Sequence, residues 1–413
     1  MNGISHTPQS NKPENRRIGV WLIGGYGIVA SCTIIGALSL RRPSSATTGL
    51  ITELPLFEGI PLLPWDTLLF GGMDIRRQSI GATLKELHTH ARVLPCGIWD
   101  DFADELTEIE RKIIPGIFSQ QNDAVRSIMD PSFIFEGSLK ECVSYIKQSL
   151  DDFKTRNRLD DVIVVNLSST EPFVNIDSHL TSYDGIRQAI DSNIANPYPA
   201  SVLYAWASID AGYPYINFTP SQGAHLEGIQ KLAMERKIPH AGNDGKTGET
   251  LLKSVLAPMF LRKNLEVLSW EGYNILGNTD GLILEDPKNK ATKIRSKGRT
   301  LDAILGYSPH SKVTIDMVPS LSDWKIAWDF IHFNGFLNTP MTMQFIWNGC
   351  DSLLAAPLVL DLVRLVEFAH RKCEYGIQTQ LSCFFKDPLG CQQLDFIRQY
   401  DMLENYVHHM KGS

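Results

Sequence analysis

The sequence predicts an α/β fold, with a parallel-sheet domain first and an inserted α+β domain after it. Three observations predict this. The uncharged run Ile18–Leu40 divides at a cluster of glycines into a strand-like half and a helix-like half. Strand and helix patterns then alternate from residue 18 to residue 245. After a helix at Thr250–Lys263 the alternation stops and strand patterns dominate.

Composition bounds what such a chain does. At 413 residues it is long for one core, so two domains are expected. A hydrophobic content of 43% with 21% charged residues is that of a globular protein, and a net charge of −7 argues against a general nucleic-acid binder. The seven cysteines are scattered and contain no Cys-x-x-Cys, which fits reduced thiols in a cytoplasm better than a disulfide framework or a zinc site. Whether a metal is needed stays open.

Residues 1–15 are polar and rich in Asn, Ser and Pro, and read as a disordered lead-in. Ile18–Leu40 is long enough for a membrane span. Two features oppose that reading. Arginine pairs flank both ends, leaving no orientation bias, and the glycines sit where a turn is expected. The better division is a buried strand at Ile18–Ile23, a turn at Gly24-Gly25-Tyr26-Gly27 and a helix at Ile28–Leu40. This is the first βα unit of a dinucleotide-binding fold. Its glycines let the backbone approach a pyrophosphate at the helix N-terminus, although Ala30 replaces the last glycine of the usual fingerprint.

Residues 43–66 are Pro-rich and irregular. Leu68–Ile75 is a second buried strand ending at Asp74, a candidate for a ribose hydroxyl, although it lies further from the glycines than the usual ~20 residues. Helical periodicity follows at Ile80–Ala91 and Ala103–Phe118, and strands at Phe133–Phe135 and Asp161–Leu167. The polar loop after the last of these carries Ser168 at a strand C-terminus, where open α/β sheets bind ligands. Helices are expected at Tyr183–Ala195, Ser201–Ala211 and Leu226–Arg236, with a short strand at Tyr215–Phe218 followed by the polar loop Thr219–Gly223.

The stretch Ala241–Leu256 is a glycine-dense turn running into a helix. Such a turn leaves backbone N–H groups facing an anion, and Lys246 adds charge beside Asp244. It is not a nucleotide P-loop, because His240 stands where that motif needs its first glycine. Spacing alone leaves an ordinary strand-to-helix connection equally open.

Beyond it, Leu265–Ile275, Lys312–Val318 and Met341–Trp347 have strand character. Asp323–His332 reads as a helix with Trp324, Ala327 and Trp328 on one side, and the aromatics of this region suit subunit contacts. Asp351–Ala369 is a strongly apolar helix expected to pack back on the first domain.

Six ordered motifs now resemble the myo-inositol-1-phosphate synthase family. They are Gly242–Gly248, Leu276–Gly281, Arg295-Ser-Lys297, Val318–Lys325, Cys350–Pro357 and Ser382–Pro388. The resemblance implies an NAD-binding Rossmann-type domain over residues 16–246, a catalytic and tetramer-forming domain over 247–350, and a return helix and tail over 351–413. It also implies a redox-neutral cyclisation of a hexose 6-phosphate in a cytoplasmic homotetramer without membrane or nucleic-acid partners. A hydroxyl carbon is oxidised, the resulting ketone acidifies its neighbour, the enolate closes on the aldehyde end, and the ketone is reduced again. Each step places negative charge on oxygen, so the site needs fixed cations and donors. Lys297, Lys325 and Lys386 match family lysines, and Asp351 completes the candidate catalytic set. Asp244, Asn278 and Asp280 match polar positions that hold the cofactor or orient the lysines. Asn278, Asp280, Lys297 and Lys386 are also the candidate substrate contacts.

Each residue has a plainer role open to it. Asp351 is also placed to cap its helix, Gly277–Gly281 to form a simple turn, and the three lysines to lie in solvent. Two departures stand out. Leu301 occupies a usual lysine position, and Asp316 replaces a cation before Val318-Pro319. An acid near a developing oxyanion costs several kcal/mol in a dry site unless Lys293 or Arg299 compensates. A different substrate, such as fructose 6-phosphate closing to a cyclopentane-type carbocycle, accounts for such a change. The same residues are also compatible with a simple NAD-dependent sugar-phosphate dehydrogenase and with a non-catalytic NAD-binding protein.

Overall fold

The computed structural model describes Pro13, residues 16–118 and residues 122–412, with the side chains of 294–299 excepted. The expected disordered lead-in at 1–15 therefore lies, apart from Pro13, outside the described residues.

The first part contributes β1 (Ile18–Ile23), β2 (Leu68–Asp74), β3 (Ile113–Ile117), β4 (Ile134–Phe135), β5 (Asp161–Asn166), β6 (Tyr215–Asn217) and β7 (Pro239–Gly242). Next come β8 (Glu266–Leu276), β9 (His310–Met317), β10 (Trp324–Asn334) and β11 (Pro340–Cys350), and finally β12 (Gly376–Ile377). Two sheets result. The eight-stranded one runs β12-β7-β6-β5-β1-β2-β3-β4, all parallel. The four-stranded one runs β11-β10-β8-β9 and is antiparallel except for β8 with β9.

Parallel strands bury both faces, which explains the unbroken apolar runs of β1 and β5, every residue of which is buried. Val20 sits in register between Phe70 and Ile163. One face is covered by the helices Ile28–Leu40 and Asp351–Arg371, the other by Leu139–Asn157 and Ala200–Asp210. Strand order reverses between β1 and β5, so the crevice beyond their C-terminal ends is the switch point where such sheets bind ligands. The strand, turn and helix expected over Ile18–Leu40 form with those bounds. Among the described residues no helix is long and apolar enough to cross a membrane.

Three expectations are corrected. Ala103–Phe118 is not one helix: the helix ends at Glu110, and Ile113–Ile117 is β3, paired with β2. Pro115 and Gly116 oppose a helix there, and the apolar residues are needed in the sheet. Asp323–His332 is not a helix but the start of β10. Lys325, Ala327, Asp329, Ile331 and Phe333 are buried at every second position, between β8 and β11. The helix expected at Tyr183–Ala195 also stops early, at Asp191.

The inner face of the smaller sheet packs Val267, Trp270, Ile331 and Phe333 against Ala257 and Phe260 of the helix Gly248–Arg262. Its outer face carries Tyr273, Trp328 and Ile346 in one cross-strand row, with 41%, 37% and 71% of each residue exposed.

Candidate active site

The nucleotide end of the site is built around the turn after β1. Gly24 has φ +85°, a region that favours glycine, and the N–H groups of Gly24 and Gly25 both donate to Met73 O, at 2.8 and 3.2 Å. Asp74 completes the turn from β2: it accepts from Tyr26 N at 2.8 Å, Ile75 N at 2.7 Å and Arg76 N at 3.2 Å. Burial raises the Asp74 pKa above the usual carboxylate range, against the pull of these donors. Gly25 and Tyr26 thus do not line the cleft, which corrects their assignment. Their N–H groups tie the turn to β2, and the Tyr26 ring is buried with its hydroxyl on Glu110 O at 3.2 Å.

The helix Ile28–Leu40 begins at Gly27 with no side chain capping its N-terminus. Its first turn opens on the cleft, so its free N–H groups and dipole suit a pyrophosphate. Gly24, Gly27, Asp74 and Ser168 border a crevice of about 680 Å³ that continues past Gly27, Arg76 and Ser168 into a second space of about 870 Å³. The residues present fit NAD: an uncapped helix end for the phosphates and an acid at the end of β2 for a ribose.

The second space gathers the chemistry. The turn after β7 brings Asp244 there, pinned by Asp244 N to Thr219 O at 2.9 Å and by Lys386 N to Asp244 O at 2.7 Å. Gly245 lies against the Phe218 ring, so close that a Cβ there would overlap it. Lys386 Nζ lies 3.0 Å from Asp244 Oδ1, and Lys293 Nζ lies 3.4 Å from the same oxygen and 3.9 Å from Asp280 Oδ2. Lys325 Nζ, from the buried face of β10, is 3.5 Å from Asp351, which also receives Thr247 Oγ1 at 3.5 Å. Asn278 caps the short helix Thr279–Ile283 and donates to Asp323 at 3.1 Å. Asp323 also takes the backbone N–H of Ser352 at 3.0 Å, its hydroxyl at 2.8 Å, and the Cys350 thiol at 2.9 Å.

These groups differ in charge state. Burial lowers the Lys386 pKa to about 8, with Lys293 and Lys325 adding to the effect and Asp244 opposing it. Burial would lower Lys293 too, but Asp244, Asp280 and Asp351 outweigh it and hold that ammonium above the usual lysine range. Burial would raise Asp351, yet Lys325, Lys386 and Lys293 keep it below the usual carboxylate range.

The structure thus brings together Gly24, Gly27, Asp74, Ser168, Asp244, Asn278, Asp280, Asp351 and Lys386 along one cleft, with Lys325 paired to Asp351 at its edge. Lys246 is a correction: its side chain turns away from the cleft to meet Gln399 and the Phe396 ring, and burial lowers its pKa to about 8. Asp351 does not cap its helix; Cys350 holds that position, and the carboxylate faces the lysines. Lys297 lies in the helix Pro287–Leu305, but its side chain and that of Arg299 are outside the described residues. Leu301 packs in the apolar core with Phe260 and Trp270. Asp316, with 60% of its side chain exposed, meets Lys290 at 3.6 Å, so this acid lies outside the cleft and away from any developing oxyanion. Arg76 and Thr247 were not legible as site residues, since only the folded turns bring them to the cleft.

A switch-point cleft that passes from an open helix N-terminus to a cluster of lysines and carboxylates defines a Rossmann-type, nucleotide-dependent enzyme for an anionic substrate. Comparison with known proteins makes this specific. The NAD-binding family model described as myo-inositol-1-phosphate synthase matches residues 18–408. Inositol-3-phosphate synthase 1 of Bacteroides thetaiotaomicron is 32% identical, over 98% of each chain. Isozyme 1 of inositol-3-phosphate synthase from Arabidopsis thaliana is 30% identical, over 91% of this chain and 77% of its own. The inositol-3-phosphate synthase structure from Caenorhabditis elegans superposes with a TM-score of 0.85 at 25% identity, over 96% of this chain and 86% of its own. The chain belongs to the myo-inositol-1-phosphate synthase family, and its cofactor is NAD.

Proposed function

We propose that the protein converts glucose 6-phosphate to an inositol phosphate, with NAD regenerated in each turnover. The observation that carries this is the pair of lysines sharing one Asp244 oxygen, beside Asp351 and Lys325, where the nucleotide crevice ends. NAD, when bound, supplies the transient oxidation of a substrate carbinol and its later reversal.

The chain's own residues do the rest. The N-terminus at Gly27 and Ser168 hold the cofactor phosphates, and Asp74 offers its remaining acceptor capacity to a ribose hydroxyl. Asn278 and Asp280 flank the substrate. Lys386, poised near neutrality, takes a proton from the substrate and returns it. Lys325, held by Asp351, and Lys293 face the negative charge that develops on oxygen during enolisation and ring closure, and they receive the substrate phosphate. Lys297 joins this set by its place in the Arg-Ser-Lys motif. Leu301 and Asp316 lie away from the cleft, so neither favours fructose 6-phosphate as the substrate.

Residues 16–246 with 351–413 form the nucleotide-binding part, and 247–350 the catalytic and oligomerising part. The outward row Tyr273–Trp328–Ile346 suits a homotetramer interface, and the free thiols suit the cytoplasm.

Purified protein with NAD and, separately, glucose 6-phosphate and fructose 6-phosphate, followed by phosphorus and proton NMR, tests the proposal. An inositol phosphate from glucose 6-phosphate with no net NADH is the expected result. Accumulating NADH would make the protein a simple dehydrogenase, and a carbocycle from fructose 6-phosphate alone would change the substrate.

A further inference from the structure

The helix Pro287–Leu305 packs its C-terminal half on Phe260 and Trp270, and its N-terminal half is tied to the nucleotide-binding part by Asn289. Asn289 is buried and donates its amide to Asn122 Oδ1 at 3.1 Å and to Thr170 O at 2.7 Å, both on the nucleotide-binding part. Residues four apart share a helix face, so anchoring Asn289 aims Lys293 into the cleft one turn later. Lys293 keeps only 11% of its side chain exposed there, against carboxylates from two other elements. A buried ammonium needs pairing charges, and Asp244 and Asp280 supply them here.

We propose that Lys293 is a positioning residue for the reaction: its ammonium shares the Asp244 carboxylate with Lys386, and this keeps Lys386 able to give up and regain a proton. The idea rests on the proton-transfer role of Lys386 proposed above. Asp244 accepts from both ammonium groups through the same oxygen, so neither has its charge to itself. The charged groups around Lys386 are Asp244 from the turn after β7, Lys293 from its helix, Lys325 from β10 and Asp351 from the start of its helix. The side chains of 294–299 on the Lys293 helix are outside the described residues. Removing Lys293 takes one cation from this set and one ammonium from the Asp244 oxygen that Lys386 shares. Both changes favour the protonated form of Lys386. The two lysines thus divide the work: one stays charged, the other exchanges its proton.

The test uses the NAD-loaded enzyme and the variants Lys293→Met and Lys293→Arg. Competitive acetylation of Lys386 across pH, read by peptide mass spectrometry, reports its titration without reference to turnover. In Lys293→Met the midpoint should rise by about one pH unit, and the ascending limb of kcat should move with it. The rate at pH 7 would then fall about tenfold and recover at higher pH. Lys293→Arg should restore both midpoint and limb. An unchanged Lys386 midpoint in a folded Lys293→Met enzyme would overturn the proposal. If instead the midpoint moves while Lys386→Gln keeps full activity, the coupling stands and the catalytic role of Lys386 fails.

Discussion

Lys386 shows how a loop residue becomes reactive. It sits before Asp387-Pro388, where a surface charge is the plain expectation, yet it is 5% exposed and bonded to Asp244. Burial pushes its pKa below the ordinary lysine value, to about 8, so the neutral amine becomes available as pH rises through that value. The rate should therefore climb between about pH 7 and 9. Lys386→Ala should lower kcat by about 10²–10⁴-fold, and Lys386→Arg should fail comparably because arginine holds its proton, as steady-state kinetics across pH would reveal. At this scale the sequence was informative where a motif carried the residue. Asp244, Asn278, Asp280, Asp351 and Lys386 all converge. It misled where neighbours in a turn point apart: Asp244 enters the cleft while Lys246, two residues on, goes to Gln399. Local spacing does not say which way a turn directs each side chain. Nor does it say that a residue at a familiar position, such as Leu301, faces the core.

At the scale of elements, the parallel strands were legible because burial on both faces writes an unbroken apolar run, and the glycines punctuate it. β10 was not. Its tryptophans and alanine fall at spacings a helix also satisfies, and only pairing with β8 and β11 reveals the two-residue period. That period matters for assembly. It sends Trp328 outward, stacked on Tyr273 with ring centroids 5.4 Å apart and opposite Ile346 on β11. An exposed apolar row on a sheet is unfavourable unless another surface covers it. If this row forms the proposed tetramer interface, Trp328→Ala with Ile346→Asp should give smaller species than the unaltered protein in sedimentation velocity. Its melting temperature should change little at matched oligomeric state, because neither side chain supports the inner core.

Across the whole molecule, the smaller sheet is joined to the return helix at Asp323. This buried carboxylate gathers Asn278 from the end of β8, Cys350 from the end of β11 and Ser352 from the start of the return helix, and burial raises its pKa. Asp323→Ala leaves these donors without their acceptor and should destabilise the protein by about 3 kcal/mol. It should also raise the KM for NAD, because Asn278 loses its tether; thermal melts and cofactor titrations would register both effects. The eight-stranded sheet has one more property. Its edge strand β12 and one of its covering helices, Asp351–Arg371, come from the far side of the inserted sheet. During synthesis the ribosome has released β1 to β7 long before either arrives, so the emerging chain holds an unfinished nucleotide-binding half, one apolar face of which is covered by Ile28–Leu40 without its partner helix. The nucleotide-binding part therefore completes its sheet and its packing only once the chain beyond the inserted sheet has been made.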